Sequence, residues 1–81
     1  MEDENKRPLT FGEKAVGITF NPSGDDLVTI AKKHYAGAID LMDILRNDTD
    51  DPEVKRLCSV AITETQTAQM WAVKAITWKR G

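Results

Sequence analysis

From Pro52 to Trp78 the chain reads PEVKRLCSVAITETQTAQMWAVKAITW, with no glycine and no second proline. Asp50-Asp51-Pro52-Glu53 opens it as a helix start. Asp51 can cap free backbone N–H groups, Pro52 suits the first helical position, and Glu53 suits the positive end of the dipole. The segment therefore predicts one helix of roughly seven turns. Its middle is unusual: Thr63, Thr65, Gln66, Thr67 and Gln69 stand where Leu or Ile would be ordinary. Threonine is a poor helix former, so contacts rather than propensity must hold this stretch helical.

The small residues suggest which contacts. Ala61, Thr65, Ala68, Ala72 and Ala75 recur at helical spacing and form a stripe that admits another helix closely. Val60, Thr67, Met70, Trp71, Lys74 and Trp78 point elsewhere. One partner helix cannot cover both sides.

A second helix is expected over residues 25–46, with Ser23 or Asp25 as its cap. Leu27, Ile30, Ala31, His34, Ala38, Leu41 and Leu45 make one apolar stripe; Val28, Tyr35, Ile39 and Met42 make another. Residues 47–50 are a short polar connection, so the two helices make an antiparallel hairpin. With the turn centred near Thr49, Ala38 falls near Ala61 and Ala31 near Ala68, placing the first stripe in the seam. The second stripe is then left for contacts between subunits. The expected fold is all-α: a two-helix hairpin with an irregular N-terminal arm, assembled as a compact homo-oligomer. Reinforcement of this kind is common for chains too short to bury a core.

Residues 1–8 are charged, end in Pro8 and read as a mobile tail; residues 9–81 read as the hairpin domain with its arm. Within the arm, residues 9–24 hold Gly12, Gly17 and Gly24 beside Leu9, Phe11, Val16, Ile18 and Phe20. A helical turn is expected near residues 12–15, and the alternation over 16–20 suggests a short extended piece. Residues 21–24, Asn-Pro-Ser-Gly, read as a turn.

Composition excludes several classes of function. The chain has 81 residues and a formal net charge of −2, which gives no global pull toward a DNA or RNA polymer or an anionic membrane. No apolar run approaches the roughly 20 residues that span a bilayer, and the polar N-terminus is no secretory signal, so a cytoplasmic location is expected. The single cysteine, Cys58, excludes an intrachain disulfide and reads as a small buried hydrophobe. The single histidine, His34, has no companion ligand; it reads as a half-buried structural group, and no metal or cofactor is expected. Asp40 and Asp43 share a helical face and read as solvated carboxylates. The glycines flanking Glu13-Lys14-Ala15-Val16 lack the Gly-Lys-Ser/Thr ending of a phosphate loop.

One constellation points to a ligand. Lys14, Thr19, Phe20 and Asn21 lie on the arm, Lys32 and Lys33 near the start of the first helix, and Lys74, Thr77, Trp78, Lys79 and Arg80 at the end of the second. In an antiparallel hairpin these meet at the open end. Lysines neutralise phosphate and aromatic rings stack on bases, which suits an anion or nucleotide site. Charges complementing the C-terminal dipole would explain Lys74 and Lys79 but not Lys32 and Lys33.

The last helix resembles that of phage anti-CBASS sponge proteins. Arg56-Leu57, then Ala61, Thr63-Glu64, Gln66-Thr67-Ala68 and Met70, then Val73-Lys74-Ala75 carry the likeness, with the Gly17 arm and the lysine-bearing first helix in matching order. The resemblance spans about residues 12–78. It implies a helical hairpin domain shared by anti-CBASS and anti-Thoeris phage proteins, assembled as a homo-hexamer. It further implies sequestration of cyclic dinucleotides, with cyclic trinucleotides or cyclic ADP-ribose isomers as further ligands, in the infected host and without chemistry on them. It assigns phosphate contact to Lys33, or to Lys32 if the turn shifts by one, and a basic role to Lys74. The family's stacking ring follows the arm glycine; here Ile18 follows Gly17 and Phe20 is the nearest ring. The reading is a non-enzymatic sponge. Its rival is a structural or regulatory helical oligomer with no nucleotide ligand.

Overall fold

The computed structural model describes residues 7–78. These hold three helices and no strand: α1 (Phe11–Val16), α2 (Asp26–Asp48) and α3 (Pro52–Ile76). The long helices begin where local chemistry dictates. Asp25 accepts from the Leu27 amide at 2.9 Å, and Asp51 from the Glu53 amide at 2.9 Å. Ser23 supports the first cap by accepting from the Asp25 amide at 3.1 Å. Across the connection, Thr49 accepts from the Asp51 amide at 3.1 Å, and the Lys55 ammonium caps the Arg46 carbonyl at 2.9 Å.

The arm is more regular than expected. The side chain of Thr10 accepts from the Glu13 amide at 3.0 Å while Glu13 accepts from the Thr10 amide at 2.9 Å, a reciprocal capping box. Six residues of helix follow, ended by Gly17 in the left-handed region at φ 64°. The extended piece expected over 16–20 is absent. Val16 closes α1 and residues 17–19 are a turn, since an alternating pattern this short fits a helix end just as well. Within the expected tail, the Arg7 guanidinium pairs with Glu13 at 3.0 Å. Residues 1–6 of that tail lie outside the described residues.

A helix this short is held by what it docks on. The Gly12 amide donates to the Asp40 carboxylate at 2.7 Å, and Gln66 donates to the Ala15 carbonyl at 3.4 Å, so α1 touches both long helices. Val16, Ala36, Ile39 and Ile62 form the core, with Ala15, Ile18, Tyr35 and Met42 against it. Arg46 ties all three helices. It donates to Ser59 at 3.1 Å and Asp43 at 2.7 Å, and its guanidinium lies 5.4 Å from the Phe11 ring centroid.

The burial of the two stripes of α2 is the reverse of the expectation. Val28 and Ile39 are buried in the chain's own seam, whereas Leu27, Leu41 and Leu45 are exposed. Ala38, Ala68 and Ala75 are exposed as well, so the small-residue stripe is not the seam; Cys58, Ile62 and Gln69 are. His34 is exposed rather than half-buried, and Asp40 and Asp43 are bonded and half-buried rather than solvated. At about 100° per residue, Leu27, His34, Ala38, Leu41 and Leu45 fall on the flank of α2 opposite Asp40. Leu57, Ala68, Trp71 and Ala75 likewise fall on the flank of α3 opposite Gln66. The arm covers one face of the hairpin and leaves this apolar face open. The molecule is a plate of 44 × 31 × 12 Å, with a radius of gyration of 14.2 Å. A compact chain of this length would have about 12 Å.

Two glycines separate close approach from ordinary helix entropy. A Cβ at Gly12 would overlap the Ala36 carbonyl oxygen and come within 2.9 Å of Asp40, whereas one at Gly37 meets nothing within 4 Å. Gly12→Ala should cost about 1–3 kcal/mol, and Gly37→Ala should add about 0.4–1 kcal/mol. Thermal melting of both checks this; equal shifts for the two would show that α1 does not cross α2 at Gly12.

Acid should loosen the arm. The Arg7 guanidinium, helped by the Thr10 amide, holds the Glu13 carboxyl at about 2 against an ordinary 4.5. A carboxylate lowered in the folded chain adds stability above its unfolded value and loses it as pH falls through the folded one. Between pH 4.5 and about 2, wild type should therefore lose more stability than Glu13→Gln. Parallel melting curves for the two across that window would contradict the pairing.

Candidate ligand-binding site

The open end of the hairpin is built on the turn at residues 20–23. Asn21 stitches that turn to α2, donating to the Asp25 carbonyl at 2.9 Å and the Thr29 hydroxyl at 3.1 Å, while Ser23 donates to Asn21 at 2.7 Å. At the end of α3, the Thr77 hydroxyl donates to the Val73 carbonyl at 2.8 Å. Between these lies a hollow of about 230 Å³ lined by Phe20, Asn21, Pro22, Ser23, Val28, Lys32, Val73 and Thr77. Val28 and Val73 give it apolar lining, and the turn residues Asn21 and Ser23 give it polar lining.

Lys32 is part of this lining. It is 5 % exposed, and its ammonium donates to the Gly17 carbonyl at 2.9 Å and to the Phe20 carbonyl. The same nitrogen lies 5.6 Å from the Phe20 ring centroid. Burial pushes the Lys32 pKa down, because the charged form loses water that the carbonyls only partly replace. Lys33, next along α2, is exposed, and its ammonium is bonded to none of the described residues.

A second hollow of about 370 Å³ opens on the outer side of α3, lined by Thr67, Met70, Trp71 and Lys74. The Lys74 ammonium lies 5.5 Å from the Trp78 ring centroid, a cation–π arrangement at the surface.

The residues singled out from sequence therefore divide. Phe20, Asn21, Lys32 and Thr77 share the first hollow, and Lys74 lines the second with Trp78 beside it. Lys14, Thr19 and Lys33 are exposed and lie outside both. Lys79 and Arg80 lie outside the described residues. Sequence reasoning missed Pro22, Ser23, Val28 and Val73 in the first hollow and Thr67, Met70 and Trp71 in the second. Val28 and Val73 carry a usable signal, since each sits on the apolar stripe of its helix at the end where the arm arrives.

Exposed amines beside exposed rings can hold a phosphate and a base together. Among the described residues, no group of three or more His, Cys, Asp or Glu side chains could hold a metal ion, and no helix is long and apolar enough to cross a membrane. A family model described as the Acb2/Tad1 hairpin domain matches residues 13–77. No curated protein and no solved structure matches the chain.

Proposed function

Because the chain belongs to the Acb2/Tad1 hairpin family, we propose that it is a phage-encoded sponge that sequesters cyclic dinucleotide second messengers. It thereby blocks CBASS-type immunity in the cytoplasm of the infected host. Cyclic trinucleotides and cyclic ADP-ribose isomers are further ligands of the same chemistry. The chain performs no reaction on them; it lowers their free concentration by mass action. The observation that carries this reading is the family match over residues 13–77, which takes in most of the arm and both long helices.

The geometry supports it in two respects. Lys33 offers an ammonium that no described side chain occupies, and Phe20 offers a ring that is 69 % exposed at the rim of the first hollow. We assign phosphate contact to Lys33 and base stacking to Phe20, with Lys74 a second cation at the same end. The open apolar face, including Leu41 at 60 % and Trp71 at 66 % exposed, is more than a lone plate would leave in water and supports association of copies, which we assign as a homo-hexamer.

Two measurements test this. Lys33→Ala should bind cyclic dinucleotides about ten-fold or more weakly by calorimetry, since charge-assisted hydrogen bonds contribute roughly 1.5–3 kcal/mol each. Wild-type affinity in a folded Lys33→Ala would remove the assigned phosphate contact. Light scattering should give wild type several times the 9.0 kDa chain mass and Leu41→Asp a smaller assembly. A monomeric wild type would contradict the hexamer.

A further inference from the structure

We propose that Lys32 is a positioning residue of the ligand site: from beneath, its buried ammonium fastens the turn at residues 17–20 and so sets Phe20 at the rim of the first hollow. The assignment of Phe20 to a ligand rests on the sponge reading; the clamp itself rests on geometry. The turn is already closed by one backbone bond, from the Phe20 amide to the Gly17 carbonyl at 2.9 Å. Lys32 donates to that same Gly17 oxygen and to the Phe20 oxygen, so both ends of the turn are held by one amine. The Ile18 amide ties the start of this turn to the Glu13 carbonyl at 3.0 Å and Asn21 ties the chain beyond it to α2, while Lys32 holds the two carbonyls between, after a glycine at φ 64°.

Burying an ammonium is costly unless its donors find acceptors. Here the acceptors are two carbonyls from the arm, and among the described residues no carboxylate pairs with Lys32. Its burial thus depends on the turn keeping this shape, and the turn's shape depends on Lys32. The side chain one residue on, Lys33, is turned away and exposed, which leaves the two lysines different work. Lys32 has its donors turned inward to backbone, while Lys33 has its own available to a phosphate. A ring held in place before the ligand arrives costs no ordering on binding, so the clamp raises affinity without touching the ligand.

Double-mutant cycles separate this from direct contact. The probes are cyclic GMP–AMP and cyclic di-AMP, with affinities from calorimetry and turn order from amide hydrogen exchange. Lys32→Met and Phe20→Ala should each weaken binding about ten-fold, and the pair should also weaken it only about ten-fold, because both remove one pre-set ring. Lys32→Met with Lys33→Ala should lose about a hundred-fold, the product of independent effects. Exchange of the Phe20 amide should speed up in Lys32→Met. Losses that multiply with Phe20→Ala, or that fail to multiply with Lys33→Ala, overturn the positioning role, as does wild-type affinity in either single variant. If Lys32→Met does not fold, Lys32→Gln, whose side-chain N–H groups can still donate to a backbone carbonyl, is read by the same cycles. Failure of wild type to bind either probe counts against the sponge reading and against the ligand half of this proposal together, while unchanged Phe20 exchange in the lysine variant removes the clamp alone.

Discussion

Two helices laid side by side can cover only one stripe each, and both long helices of this chain carry more apolar surface than that. Everything else in the structure answers this constraint. The arm covers one face of the hairpin, but it is too short to do so unless it sits very close. That is why Gly12 meets the Ala36 carbonyl without a side chain between them and donates to Asp40 at 2.7 Å. The other face stays open, with Leu27, Leu41, Leu45, Leu57 and Trp71 all more than two-fifths exposed. A plate 12 Å thick has no depth in which to hide them.

The same constraint shapes the open end. The hairpin runs out of apolar cover where α2 begins and α3 ends, and the gap is closed by a turn rather than by another layer. Polar groups then do work that core residues would do elsewhere. Asn21 bonds the turn to α2, and Lys32 bonds it from within. Polar side chains also fill much of the middle of α3. Thr65 and Thr67 bond back to the Ala61 and Thr63 carbonyls at 2.6 and 3.2 Å, which satisfies their hydroxyls inside their own helix. Gln66 reaches the arm. The unusual threonine and glutamine run is thereby accounted for in part, as a segment that serves the arm on one side and satisfies itself on the other.

What the sequence disclosed follows the range of the interactions involved. Asp25, Asp51 and Pro52 mark helix starts through contacts two residues away, so both long helices and their connection were legible. The arm helix is written in the Thr10 to Glu13 capping box, but the glycines at 12 and 17 also suit an irregular segment, so only a turn near residues 12–15 is expected. The choice between the stripes of α2 was not legible. Val28 and Ile39 point one way and Leu41 and Leu45 another, both at helical period, and only the partner helix decides which is buried. The same holds for Lys32 and Lys33. Adjacent residues on a helix lie about 100° apart, so one is buried under the turn and the other is exposed, with nothing local to say which. His34 follows the seam: the stripe that carries it is the open one, so it is exposed. Asp40 and Asp43 read as solvated on charge content alone, and their partners, the Gly12 amide and Arg46, are visible only in the fold.

A sponge holds a cyclic nucleotide and releases it unchanged. Mixing the purified protein with a cyclic dinucleotide, removing the protein with its bound fraction, denaturing it by heat and analysing the released nucleotide by chromatography decides whether this chain does so. Free ligand should be depleted on mixing, and intact cyclic dinucleotide should be fully recovered after heating. Recovery of linear or mononucleotide products would make the chain an enzyme, and no depletion across cyclic di- and trinucleotides and cyclic ADP-ribose isomers would contradict the sponge altogether.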